Sequence, residues 1–299
     1  VKLSNLISFN PTFKSSALIV TAALSLTWAA CQKGSNSGVA PTKFDQKQFD
    51  EIGIVHNRSV DSTYRVLLAM KTNHQLNFSK DELVSFVRNG MLNNLKIQGT
   101  NPKVIIALNS ALSGQSVIIK DNYARKINSI SDVQITTYYT DSLAAKLTVN
   151  QKQVLDKLLY VMTDNSATFE ETKSQINSLE TNAKSELSDT ELPAILASIS
   201  VAKYTIVYWH DNYDKWVSLL SSSNKVSTQS IKTNAAEAGP GFSWRNVGAA
   251  DVGGAATGAV ATWWLNIAAG PGQVAYGAAI GSGAASASVG NAVYQLLSN

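Results

Sequence analysis

Everything after Asp251 in this 299-residue chain is uncharged, a run of 48 residues rich in Gly, Ala, Ser and Val. A segment of that composition cannot stand in water as an ordinary amphipathic helix, because it has no charged face to present. It needs to be enclosed by protein, to enter a lipid phase, or to stay unfolded. Twelve of the 18 glycines lie from Gly239 onward, and residues 239–299 carry only Arg245 and Asp251. The segment divides at Gly270-Pro271-Gly272, a turn signal. Gly254 and Gly258 lie before that turn and Gly277 and Gly281 after it, one GxxxG in each half. Small residues four apart give a smooth helix face on which two backbones approach closely. The expectation is a Gly/Ala-rich helical hairpin over residues 252–299, its four glycines serving helix packing or membrane insertion.

The other end is equally poor in charge. Residues 1–30 carry only Lys2 and Lys14, ahead of a 14-residue apolar run from Ala17 to Ala30. That run is short for a bilayer span, which takes about 20 residues, and it has the basic flank and small-residue ending of a secretory signal. Val1 reads as an alternative start. The single cysteine, Cys31, follows the run directly and precedes the polar stretch Gln32–Gly38. Leu26-Thr27-Trp28-Ala29-Ala30-Cys31 resembles the lipobox of bacterial lipoproteins, although Trp28 is bulky for that motif. The resemblance implies cleavage before Cys31 and lipidation of Cys31, which would leave no free thiol for catalysis. It also implies export to the cell envelope as an outer-membrane lipoprotein on its periplasmic or surface-exposed side, held to the membrane by the N-terminal lipid. One cysteine also excludes a disulfide framework.

Between these ends lie 42 of the chain's 46 charged residues. Apolar positions there recur at three and four, the helical period. One stripe is Phe49, Ile52, His56, Val60, Thr63, Leu67 and Met70. Ser79…Glu82, Thr148…Gln151, Thr168…Glu171 and Ser188…Glu191 each precede a further stripe with the spacing of a capping box. The reading is all-α: a multi-helix bundle over 44–220, preceded by a signal peptide (1–30) and a tether (31–43). A polar spacer and Gly-rich entry (221–251) leads to the hairpin. Residues 117–140, rich in strand formers, are read as helix from their context.

No catalytic set emerges. His56, His74 and His210 show neither HExxH nor any other zinc-ligand spacing. There is no Walker loop or GxSxG elbow, and no cofactor or metal is expected. His210 beside Asp211 is the best candidate for acid–base work, but neighbours on a helix point about 100° apart, so the two are not expected to face each other. His56 reads as a satisfied core histidine. The formal charge of +4 falls to +2 once Lys2 and Lys14 are removed with the leader, and no basic cluster offers a nucleic-acid footprint. Ile52-Gly-Ile-Val-His56-Asn57, together with Ser200-Val-Ala-Lys-Tyr204 and Tyr208-Trp209, resembles a group of uncharacterised Bacteroidota lipoproteins with a Gly/Ala-rich tail. That resemblance implies no activity. The expectation is a non-catalytic binding or structural protein, with a protein partner or self-association through the C-terminal faces as a further reading. The alternative is a membrane-active protein whose tail inserts into a bilayer, as in the pore-forming bacteriocins that its glycine spacing resembles.

Overall fold

The computed structural model describes residues 46–73, 78–97, 102–103, 105–110, 112–113, 141–220, 243–266 and 272–297. Leader, Cys31, tether, His74, residues 117–140, most of the spacer and the Gly270-Pro271 turn lie outside the described residues. The fold is all-α, with no strand among the described residues. Eight helices are bounded: α1 Gln46–Thr72, α2 Lys80–Ile97, the single turn α3 Asp141–Ala144, α4 Val149–Thr163, α5 Phe169–Glu186, α6 Leu192–Leu220, α7 Trp244–Asn266 and α8 Gly272–Leu297.

The helix starts follow from local chemistry. Thr148 and Thr168 each accept a hydrogen bond from the backbone three residues on, while Gln151 and Glu171 reach back to the cap N–H. Ser79 and Glu82 do the same ahead of α2. At the start of α6, Glu191 accepts from the Ser188 N–H at 3.0 Å and from Thr148 Oγ1 at 2.6 Å. Gln151 Nε2 donates to the Glu191 carbonyl at 2.8 Å, so the caps of α4 and α6 interlock. These bonds satisfy amides that would otherwise be orphaned at helix ends.

The same bonds hold carboxylates in their charged form. Hydrogen bonds from Ser79, Thr168 and Thr148 with Ser188 hold Glu82, Glu171 and Glu191, respectively, below the usual glutamate value. Burial raises Glu180, but hydrogen bonds from Lys184 and Lys203 outweigh it and leave that carboxyl lowered too. A carboxyl depressed in the folded state contributes stability above its unfolded pKa and loses it as pH falls through the folded value. The melting temperature should therefore hold from neutrality to about pH 4.5, the ordinary glutamate value, and fall below it. The double variant Glu171→Gln/Glu191→Gln should show a shallower acid decline in melts followed by circular dichroism. An unchanged decline would contradict the assignment.

The sequence stripes point inward. All seven members of the α1 stripe are buried, as are Leu83, Val87, Met91 and Leu95 of α2 and the Leu192-to-Trp209 stripe of α6. Helices α1 and α6 run parallel in a fixed register, shown by three pairs. Gly53 N–H donates to Ser200 Oγ, Asn57 Nδ2 to the Tyr204 carbonyl, and Lys71 Nζ to the Ser218 carbonyl, each pair 147 residues apart. The Lys71 ammonium also takes the Leu219 carbonyl at 2.8 Å and so neutralises the C-terminal end of α6. Close approach depends on Gly53, where a Cβ would lie 2.3 Å from Tyr204 Cδ2 and 2.8 Å from the Ser200 carbonyl.

The charge-free C-terminal segment forms the centre of this bundle. Helices α7 and α8 pack most extensively on each other, α7 also on α4 and α6, and α8 also on α1, α2 and α6. From Trp244 to Ala259 every α7 residue except half-buried Asn246 is buried, and so is every residue of α8 from Gly283 to Val293. A helix enclosed on all sides has no use for a charged face. The helix expected from residue 252 begins at Trp244 instead. Gly248, which falls in the stretch read as spacer and Gly-rich entry, packs tightly inside α7, where it faces Met162. Ser243 Oγ accepts from the Asn246 N–H, and Gln295 Oε1 from the Ser243 N–H at 2.6 Å, which caps α7.

Candidate functional site

The strongest concentration of polar chemistry lies inside the bundle, where α1, α6, α7 and α8 meet. Asp251 of α7 is fully buried, as is His56 of α1, and His56 Nε2 lies 3.4 Å from Asp251 Oδ2. Thr205 Oγ1 donates to the same carboxylate oxygen. Trp209 Nε1 donates to it at 3.3 Å and to Ser288 Oγ of α8 at 2.9 Å. An isolated carboxylate in such a place costs several kcal/mol, so these donors are what allow Asp251 to sit there.

The His56 tautomer follows from its neighbours. Asn57 Nδ2 donates to the Tyr204 carbonyl at 2.9 Å, which turns Asn57 Oδ1 toward His56 Nδ1, also at 2.9 Å. An amide oxygen only accepts, so Nδ1 carries a proton. Nε2, 3.4 Å from Asp251 Oδ2, makes no hydrogen bond among the described residues, so the histidine expected to be satisfied in the core is satisfied at Nδ1 alone. Asp251 Oδ1 has no hydrogen-bond partner among the described residues. His56 is a core histidine with Nδ1 bonded and Nε2 aimed at a carboxylate that the sequence reading did not assign.

Arg245, the other charge of the C-terminal segment, is also buried. Its Nη1 donates to Thr172 Oγ1 at 3.0 Å and its Nη2 to the Ala167 carbonyl, with the guanidinium 4.5 Å from the Trp244 ring centre. Burial pushes this guanidinium below its usual value, opposed by the charge of Asp164. Arg245 thus fastens α7 to the start of α5, and Asp251 fastens it to α1 and α6. Both charges of the tail serve as internal anchors.

His210 and Asp211 do meet, against expectation: Nδ1 and Oδ1 are 3.0 Å apart. Their Cα–Cβ bonds diverge, but both side chains sit at the rim with room to swing together. The imidazole stacks on Phe169 with centroids 4.2 Å apart and stands edge-on to Trp244. It completes an aromatic seam joining α5, α6 and α7. Between α4 and α5, a groove of about 500 Å³ is lined by Lys157, Tyr160, Val161, Gln175 and Leu179, with Tyr160 more than half exposed. No group of three His, Cys, Asp or Glu able to hold a metal occurs among the described residues.

The four predicted glycines do not face one another as a set. Gly254 packs on Gly283, Ala284 and Ala287, and Gly258 also approaches Gly283. Gly277 and Gly281 turn instead to α1, against Ile52, Val55 and the His56 backbone. The mirrored spacing therefore serves two interfaces, α7 on α8 and α8 on α1. The missing partner, Gly283, sits in Gly281-Ser-Gly283 and breaks the four-residue spacing. Ile52–Asn57 and Ser200–Trp209, the two segments that carry the family resemblance, come together around Gly53 and Asn57. No protein-family model, curated protein or solved structure matches the chain.

Proposed function

We propose that the chain is an exported, lipid-anchored cell-envelope protein, an outer-membrane lipoprotein whose helical bundle has a non-catalytic binding or structural role. Cys31 carries this reading: the single cysteine stands where the apolar leader ends and a polar stretch begins. The non-catalytic role draws support from the placement of the acid–base groups. His56 and Asp251 are sealed at zero exposure, where no substrate reaches them. His210 is committed to an aromatic stack. Metabolic labelling with a fatty acid should give a labelled, membrane-bound protein, and Cys31→Ser should lose the label and move to the soluble fraction. Labelling that survives the substitution would overturn the reading.

A membrane-active role is the second reading, favoured by the length of uncharged α8. At 1.5 Å per residue α8 reaches about 39 Å, enough for a hydrocarbon core of about 30 Å, whereas the uncharged part of α7, Val252–Asn266, reaches about 22 Å. Their composition weighs against it: among the described helices, only α6 is both long and apolar enough to span a membrane, and α6 is mostly buried in the bundle. Dye leakage from liposomes separates the two readings, with no leakage expected at neutral pH.

A further inference from the structure

We infer that the groove between α4 and α5 is a binding site for a neutral saccharide bearing N-acetyl groups. The inference gives the binding role proposed above a ligand class, and it rests on that reading.

The groove follows from what the two helices present along their seam. Val154, Leu155, Leu158 and Leu159 of α4 are buried, as are Thr172, Ile176 and Ala183 of α5. Beside that seam α5 carries short side chains, Ser174 and Ser178, and the Ser178 hydroxyl donates back to the Ser174 carbonyl at 3.0 Å. Such a bond folds the side chain onto its own helix, so this wall of the groove stays low. On the α4 side the Tyr160 ring stands 54% exposed. The result is an opening of about 500 Å³, within the roughly 300–1,000 Å³ of small-molecule sites. From Ser174 to Asn182 the α5 wall runs eight residues, about 12 Å of helix, which leaves room for more than one sugar ring.

The lining chemistry selects the ligand. Val161 is buried and Leu179 half-buried, which gives the groove an apolar base. Tyr160 adds an exposed aromatic face. Gln175 and Asn182 add exposed amides, groups that both donate and accept hydrogen bonds. Among the described residues the lining carries one carboxylate, Asp156, and one ammonium, Lys157. That balance disfavours phosphate or carboxylate ligands, which call for an excess of cationic donors. A wholly apolar ligand would strip water from the two amides and give them no partner. A sugar ring answers both demands. Its polarised C–H groups lie on the electron-rich aromatic face, while its hydroxyls bond the amides. An N-acetyl group adds a methyl for Val161 and Leu179, and an amide for Gln175 or Asn182.

Isothermal titration of the full-length chain, held in detergent, tests the site. Tri-N-acetylchitotriose should bind saturably. Maltotriose has as many rings and no acetamido group, and should bind more weakly by about tenfold or more. Tyr160→Ala should weaken binding of the acetylated sugar by about tenfold or more, because it removes the stacking face. Tyr160→Phe keeps that face and should retain most of the affinity. Tyr160 is exposed, so both variants should melt as the unsubstituted chain does. Should Tyr160→Ala fold poorly, amide chemical shifts of the unsubstituted chain serve instead: the acetylated sugar should move those of residues 156–161 and 174–182. No binding, equal affinity for maltotriose, undiminished binding by Tyr160→Ala, or shift changes confined to other helices would overturn the inference. So would association of copies through this face that excludes the sugar. Binding is read on purified protein and does not depend on lipidation. Loss of fatty-acid labelling therefore reports failure of the anchor, and absence of sugar binding reports failure of the site.

Discussion

Replacing Asp251 with alanine is expected to cost the bundle about 3–5 kcal/mol, because it breaks a fully buried pair and leaves its partners unmatched. His56 Nε2, Thr205 Oγ1 and Trp209 Nε1 all converge on one carboxylate oxygen that no water reaches. That loss is a large share of the roughly 5–15 kcal/mol by which domains are stable. It should appear as a lower urea midpoint. Asp251→Asn retains an acceptor for Thr205 and Trp209 and should cost less. A double-mutant cycle with His56→Ala should give a coupling above about 0.5 kcal/mol, as expected for residues in contact. A cost below 1 kcal/mol for Asp251→Ala would mean that the cluster does not hold the C-terminal helices in place.

The second large effect separates glycines that look alike in sequence. A Cβ on Gly254 would lie 2.8 Å from Ala287 Cβ, 2.9 Å from the Gly283 carbonyl and 3.0 Å from Ala284 Cα. None of those atoms belongs to a flexible side chain, so α7 and α8 must separate. Overpacking of this kind costs about 1–3 kcal/mol, more than the gain of up to about 1 kcal/mol from replacing a helical Gly with Ala. At Gly277 the nearest contact among the described residues would be Ile52 Cγ1 at 3.6 Å, an ordinary van der Waals distance. Gly277→Ala should therefore be neutral or stabilising by up to about 1 kcal/mol. Thermal melts of the two variants should move in opposite directions or differ by several degrees. Equal shifts would contradict the packing described.

What the sequence makes legible is local. A capping box spans four residues, so Thr148…Gln151 and Thr168…Glu171 announce their helices before any tertiary contact exists. The 3.6 period likewise assigns the buried face of α1 from Phe49 to Met70. Long-range partners are less visible. Asp251 escaped notice because it looks like the last charge before an uncharged run. The signal was its isolation: a single carboxylate within a Gly/Ala helix requires a buried partner, and His56 on an apolar stripe is the natural one. Gly254 and Gly258 found Gly283 rather than Gly277 and Gly281. Spacing identifies a smooth face and leaves its partner undetermined. His210 and Asp211 show the limit of backbone geometry, since rim side chains reorient enough to pair.

The C-terminal helices α7 and α8, which carry only Arg245 and Asp251 as charges, form the core of the fold, enclosed by the charged helices and fastened through those two residues. Native-state hydrogen exchange tests it most directly, because amides at the centre of a cooperative core open only with global unfolding. The amides of Gly283–Val293 in α8 should be among the slowest in the protein, with opening free energies close to that of global unfolding. Rapid exchange across α8 while α1 and α6 stay protected would show that the bundle stands without its C-terminal pair, and would contradict the account.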